Sequence, residues 1–138
     1  MYQFGTRSKN NLNGVHPKLV NLLETSLRNS PCDFTITDGV RTLQQQAALY
    51  AQGRTTPGNI VTNCDGIRSK SNHQVKADGY GHAVDLYPYH NGSVQLNDIP
   101  KLRQIADHIK ATAKSLGVNI RWGGDFTSLK DYPHFELI

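Results

Sequence analysis

The sequence predicts an α+β fold, a small and mainly antiparallel sheet with about three helices. Apolar residues recur at helical spacing in two well-separated segments, and a third segment is built from strong helix formers. Short β-branched or alternating runs bounded by turn residues lie between and after these helices rather than in strict alternation with them.

Val15, Leu19, Leu22, Leu23 and Leu27 mark the first helix, with Pro17 in its opening turn and Asn29-Ser-Pro31 ending it. Phe34-Thr-Ile-Thr37 reads as a short strand closed by Asp38-Gly39. Arg41 follows at once, near the start of a second helix over Thr42–Gln52 that Gly53 is placed to cap. Residues 54–78 are rich in Gly, Asn, Ser, Thr, Lys and Pro and predict a long surface loop, a feature that is commonly functional. Ala83–Tyr89 reads as a strand, turned by Asn91-Gly92 into Ser93-Val94-Gln95. Ile99, Leu102, Ile105, Ala106, Ile109, Ala113 and Leu116 mark one face of a long helix. Asn97 or Asp98 is its cap, Pro100 lies in its first turn and Gly117 stops it. Val118–Trp122 and Phe135–Ile138 are the last strands.

With 138 residues, 37% hydrophobic and 19% charged, the chain fits one soluble domain spanning 1–138. It has no apolar run long enough to span a bilayer, and its first residues lack the apolar core of a secretory signal peptide. The expectation is a protein without stable membrane insertion that does not export itself by that route. Cys32 and Cys64 stand apart and are expected to be reduced thiols. A formal charge of +4 favours an anionic partner: nucleic acid, lipid phosphate or cell-wall polymer. The basic residues are scattered, without the basic and aromatic clustering of a nucleic-acid module, which argues against nucleic acid. The sequon Asn91-Gly92-Ser93 is read as a turn.

Candidate chemistry gathers in two stretches, Ser71 to Asp85 and Arg121 to Leu137. On a strand, period two puts Gly81, Ala83 and Asp85 on one face, leaving open volume beside the Asp85 carboxylate while Val84 and Leu86 turn to the core. His82 points with Val84 and is therefore disfavoured as a ligand. His73 lies in the long loop. On the final strand, His134 and Glu136 share one face and Phe135 and Leu137 the other. Pro133 bends the chain just before, which brings Asp131 round toward the same site as a general base. These histidines and carboxylates suit one open metal site and one base.

Ser71-x-His73, Gly81-x-Ala83-x-Asp85, Trp122-Gly-Gly-Asp125 and Asp131-x-Pro-His134-Phe-Glu together resemble the zinc peptidoglycan peptidases of the D-alanyl-D-alanine carboxypeptidase and VanY group. Within that group the chain is most similar to the L-alanyl-D-glutamate endopeptidases, phage endolysins and bacterial autolysins among them. Gly39-Val-Arg41-Thr-x-x-x-Gln46 matches the family's arginine-bearing segment, so the resemblance runs over roughly residues 16–138.

The resemblance implies a hedgehog/D-Ala-D-Ala peptidase-like fold and one zinc ion held by His73, Asp85 and His134. It implies Asp131 as the catalytic carboxylate and Arg41 as the group that steadies the substrate carbonyl. Ser71 and Gln46 are candidates for substrate contact or support, Trp122 for lining the cleft or packing, and Glu136 for orienting a ligand histidine. The implied substrate is peptidoglycan, cleaved between L-Ala and D-Glu, with a D,D-carboxypeptidase removing terminal D-alanine as the alternative and a non-catalytic zinc-binding module behind it. The resemblance implies a phage-type endolysin, taken as a monomer, that accumulates in the cytoplasm of the producing or infected bacterium and acts on the cell wall after release through a separate holin-type pore. One departure from the compact family pattern stands out: seven residues, Gln74–Tyr80, separate His73 from Gly81, and a register shift there would exchange His73 for His82. His16, His90 and His108 fall outside every motif and are expected at the surface.

Overall fold

The computed structural model describes residues 1–138. Helices α1 (Thr6–Asn11), α2 (Pro17–Arg28), α3 (Leu43–Ala51) and α4 (Ile99–Leu116) accompany strands β1 (Phe34–Asp38), β2 (Ala83–His90), β3 (Ser93–Val94), β4 (Ile120–Trp122) and β5 (His134–Leu137). The sheet order is β1-β2-β5-β4, with β3 paired to the far end of β2, and every pairing is antiparallel. The three expected helices are present. The shorter α1 precedes them, and no apolar periodicity announces it.

Local signals explain the boundaries. Pro17 opens α2, and the His16 side chain accepts a hydrogen bond from Lys18 N–H. Thr42 and Gln45 form a reciprocal capping box on α3. Asp98 caps α4, and Gly117 ends it in the left-handed region at φ 71°. Asn91 and Gly92 both take positive φ in the β2–β3 turn.

One face of the sheet carries the core. Leu19, Leu22, Leu23 and Leu27 of α2 and Leu102, Ile105, Ala106 and Ile109 of α4 pack on Phe34, Ile36, Val84, Leu86, Trp122 and Phe135. His108, expected at the surface, bonds through Nε2 to the Ser26 carbonyl and ties α4 to α2. The opposite face is left to Asp85, Tyr87, Arg121, His134 and Glu136, all of which line a single cleft. No helix is long and apolar enough to cross a membrane.

Strand β1 is an edge, and α1 covers it. The Ile36 N–H donates to Ser8 Oγ at 3.0 Å and the Ile36 carbonyl accepts from Asn11 Nδ2 at 2.8 Å, so side chains of α1 satisfy backbone groups that an open edge would expose. This explains a helix with no apolar stripe of its own. Ser8 is buried and also bonds Thr35 Oγ1. Ser8→Ala is therefore expected to leave the Ile36 N–H unpaired and to lower stability by about 1–3 kcal/mol, read by denaturant unfolding. A change under a few tenths would show that α1 does not close the edge.

Candidate active site and metal centre

The site is assembled from three strands and two loops. A β-bulge between Ile36 and Asp38 shifts the β1 register so that Asp38 stands opposite Asp85. Two carboxylates facing each other repel, and Arg41 resolves this by bonding Asp38 Oδ2 at 2.8 Å with Nη2 while lying 3.7 Å from Asp85 Oδ2. Its other terminal nitrogen donates to Gln46 Oε1 at 2.8 Å.

The His73 loop is docked by main-chain bonds. Arg41 N–H donates to the His73 carbonyl and His82 N–H to the Asn72 carbonyl, while Ser71 Oγ accepts from His73 N–H. His73 is thereby buried beside His134, with Nε2 3.1 Å from His134 Nδ1 and 3.4 Å from Asp85 Oδ1. His134 Nδ1 lies 3.7 Å from Asp85 Oδ1 and 3.7 Å from Asp131 Oδ2.

Tautomers follow from the outer contacts. His73 Nδ1 meets the Gly39 carbonyl at 2.9 Å, an acceptor only, so that nitrogen carries the proton and Nε2 presents a lone pair. His134 Nε2 meets Glu136 Oε1 at 2.6 Å, so its proton sits there and Nδ1 presents the lone pair. Asp85 Oδ1 is buried without any hydrogen-bond partner. Three electron-pair donors thus converge with no proton assigned among them. A tetrahedral ion with bonds of about 2.0–2.1 Å sets its ligand atoms about 3.3 Å apart. The observed separations of 3.1, 3.4 and 3.7 Å fit that demand.

Asp131 is carried in by a tight approach. Its N–H donates to the Gly123 carbonyl and its carbonyl accepts from His134 N–H. A side chain at Gly123 would run into the Asp131 carbonyl, and one at Gly124 into the Trp122 ring, which is why the Trp-Gly-Gly stretch has this composition. The cleft above these groups has a volume of about 560 Å³ and includes Arg41, Lys70, Ser71, Asn72, Tyr87 and Arg121 in its walls.

The model of the phage L-alanyl-D-glutamate peptidase family matches residues 1–137 of the chain. The chain belongs to this family. It is 33% identical over 136 residues to the L-alanyl-D-glutamate peptidase of Escherichia phage T5, covering 99% of this chain and 89% of that relative. It is 36% identical over 121 residues to the peptidoglycan L-alanyl-D-glutamate endopeptidase CwlK of Bacillus subtilis (strain 168), covering 84% and 67% respectively. The crystal structure of the Serratia marcescens L-Ala D-Glu endopeptidase ChiX superposes with a TM-score of 0.77 at 31% identity, over 99% of this chain and 90% of that one. The vancomycin resistance D,D-dipeptidase VanXYg shares the fold, with a TM-score of 0.59 at 20% identity over 89% and 50% of the two chains. The predicted α+β class and the family resemblance are both borne out.

Within this family member, electrostatics separates the two carboxylates. Burial alone would raise Asp85, but the His134 and His73 contacts hold it well below the usual carboxylate range. Asp131 goes the other way: burial and then the negative Asp85 push it up to about 6, against the pull of His134, His73 and Arg41. His134 is held down by burial and raised more strongly by Asp85 and Glu136, to about 9. In the metal-free protein a proton on His134 therefore takes the place an ion would occupy.

The structure brings His73, Asp85, His134, Asp131, Arg41 and Ser71 to one cleft and removes two other candidates from its surface. Trp122 lies opposite Phe135 in the β4–β5 register, stacks on it and is 1% exposed. Its indole N–H donates to the Tyr132 carbonyl, so it is a core residue, and its neighbour Arg121 takes the cleft side. Gln46 is fully buried and spends its amide on Arg41, Cys64 and Thr62, behind Arg41 rather than on the cleft surface. His82 is not in the triad but bonds Asp78 at 2.7 Å, the insertion having been absorbed in a turn closed by Lys76 and Tyr80. Tyr87 and Arg121 were missed from the sequence, although period two puts Tyr87 on the face of Asp85, and Arg121 on the face opposite Ile120 and Trp122.

Glu136 is buried, and Arg121 lies 3.7 Å from its second oxygen. Because it fixes the His134 tautomer, Glu136→Ala is expected to weaken divalent-metal affinity by about 10–100-fold, measured by chelator competition on folded protein. Metal affinity of the wild type should also climb as pH rises toward about 9, where His134 gives up its competing proton. Affinity independent of pH between 6 and 9 would contradict this assignment.

Proposed function

We propose that the chain is a zinc-dependent endopeptidase that hydrolyses the L-Ala–D-Glu bond of peptidoglycan stem peptides. One observation carries this reading: His73 Nε2, Asp85 Oδ1 and His134 Nδ1 converge in the cleft with the Asp131 carboxylate beside them. Family membership over almost the whole chain, with relatives named for this bond, supplies the substrate.

Two imidazoles and one carboxylate suit zinc with an open fourth position, and zinc so bound polarises a carbonyl and acidifies water. Asp131 accepts the proton of the attacking water and returns it to the leaving amine of D-Glu, a task served by a carboxylate raised toward neutrality. Arg41, held at the cleft by Asp38 and Gln46, stabilises the negative charge that grows on the scissile carbonyl oxygen. The cleft walls also carry Lys70 and Arg121, complementary to the carboxylates of the stem peptide, and Tyr87 and Phe126 offer flat surface beside them. Ser71 keeps the His73 loop in place. We take the enzyme to act as a monomer. One relative comes from a phage, Escherichia phage T5; the proposal extends to synthesis in the producing or infected cell and release to the wall through a separate holin-type pore.

Mass spectrometry of purified stem peptides treated with zinc-loaded protein tests the reading. New termini at L-Ala and D-Glu, abolished by chelation, are expected; release of single D-alanine instead would replace it with the carboxypeptidase. Asp131→Asn should lower kcat by about 10²–10⁴-fold while the metal content stays unchanged, and Arg41→Ala by about 10²–10³-fold. The acid limb of kcat/KM should lie at or below pH 6, since Asp131 must be deprotonated and the charge of a bound cation lowers its pKa from about 6. An acid limb that survives unmoved in residual Asp131→Asn activity would remove Asp131 from the base role.

A further inference from the structure

A second group of metal-ligating side chains lies outside the cleft, formed by His16, Asp78 and His82. These residues come from three segments: the turn before α2, the Gln74–Tyr80 insertion and the residue just before β2. Main-chain bonds lock the segments together. His16 N–H donates to the Gly81 carbonyl and Gly81 N–H to the Gly14 carbonyl, each at 2.9 Å, while Lys76 N–H reaches the Tyr80 carbonyl at 2.9 Å and closes the turn that carries Asp78. The approach of the three side chains is thus set by backbone rather than by chance meetings of long surface groups.

The carboxylate is oriented within its own turn. Asp78 Oδ1 accepts from Tyr80 N–H at 3.0 Å, which leaves Oδ2 facing the imidazoles, 2.7 Å from His82 Nε2 and 3.9 Å from His16 Nε2. The rings of His16 and His82 meet edge to face at 5.2 Å, and Tyr80 packs against His16 at 5.3 Å. His16 and His82 are only partly exposed, and the Asp78 side chain is 41% exposed, so one side of the group opens to water.

We infer that His16, Asp78 and His82 form a second metal site, which takes a borderline divalent cation such as zinc through two imidazole nitrogens and one carboxylate oxygen and leaves the remaining positions to water. Imidazole donors select this class over calcium or magnesium, which demand more oxygen ligands. The site closes the insertion onto the start of β2, next to the loop that carries His73. Its chemistry has a built-in signature. His16 Nδ1 now accepts from Lys18 N–H, so a neutral ring keeps its proton on Nε2. Coordination through Nε2 moves that proton to Nδ1 and releases the Lys18 amide from its cap.

Zinc titrated into metal-free protein, with bound metal counted by native mass spectrometry, tests the inference. Two ions are expected in the wild type, one in His82→Ala, one in Asp85→Ala and none in the double variant, with circular dichroism confirming fold. If His82→Ala fails to fold, Asp78→Asn, an isosteric change at a half-exposed carboxylate, takes its place with the same expectation. The Lys18 amide resonance should shift on zinc addition in the wild type and in Asp85→Ala, but not in His82→Ala. A single ion in the wild type that is retained in His82→Ala and lost in Asp85→Ala overturns the second site while leaving the first intact. Loss in His82→Ala alone would do the reverse. Two ions persisting in His82→Ala would place the extra ion elsewhere and equally overturn the assignment.

Discussion

Everything in the cleft depends on three buried lone pairs facing one another. His73 Nε2, His134 Nδ1 and Asp85 Oδ1 lie 3.1–3.7 Å apart, and each imidazole has its proton drawn off to the outside, by the Gly39 carbonyl in one case and by Glu136 in the other. An arrangement of unprotonated donors in a buried setting is costly by itself, because mutual repulsion and lost hydration are uncompensated. A cation or a proton must enter it. The outer contacts that create the repulsion are the same ones that aim the three donor atoms, so the pull on a cation and the preorganisation of its candidate site have one physical origin.

That concentration of negative potential also sorts the two site aspartates. Asp85, wedged between two imidazoles with Arg41 behind it, is held well below the usual carboxylate range. Asp131 sees Asp85 as a like charge and is only partly compensated, which moves it toward neutrality. A ligand carboxylate should never protonate and a base must exchange its proton during each turnover, so the opposite displacements agree with the roles proposed for Asp85 and Asp131. Arg41 serves both sides of this balance: its fork is fixed by Asp38 and Gln46, and its charge lies between the two facing carboxylates created by the β1 bulge.

The fold supplies these positions by giving the sheet two unlike faces. Helices α2 and α4 bury one face in a continuous apolar core, which makes the strand register rigid. On the other face that rigidity fixes Asp85, His134 and Glu136 to neighbouring rungs, since Asp85 pairs with His134 and Ala83 with Glu136. Loops then bring in what the strands cannot. His73 arrives on a long excursion held by main-chain bonds to Arg41 and His82, and Asp131 arrives over Gly123, where the absence of a side chain permits close approach.

How much of this was legible in the sequence depends on whether a residue's role is set by local periodicity. The helices α2, α3 and α4, the strands, and the common face of Asp85, His134 and Glu136 all follow from spacings of 3.6 and 2 together with their capping and turn residues. The same rule applied to Trp122 and Arg121 would have sent the tryptophan to the core and the arginine to the cleft. Helix α1 was invisible because its stability comes from Ser8 and Asn11 bonding an edge strand some 25 residues away in sequence. Family resemblance named His73 and Arg41 as a pair of actors, but their meeting, the burial of Gln46 behind Arg41 and the departure of His82 to Asp78 were decided by tertiary structure alone. Periodic burial is written into neighbouring residues, whereas the partner of a loop side chain is chosen by hydrogen bonds between segments whose separation in sequence carries no signal of their contact.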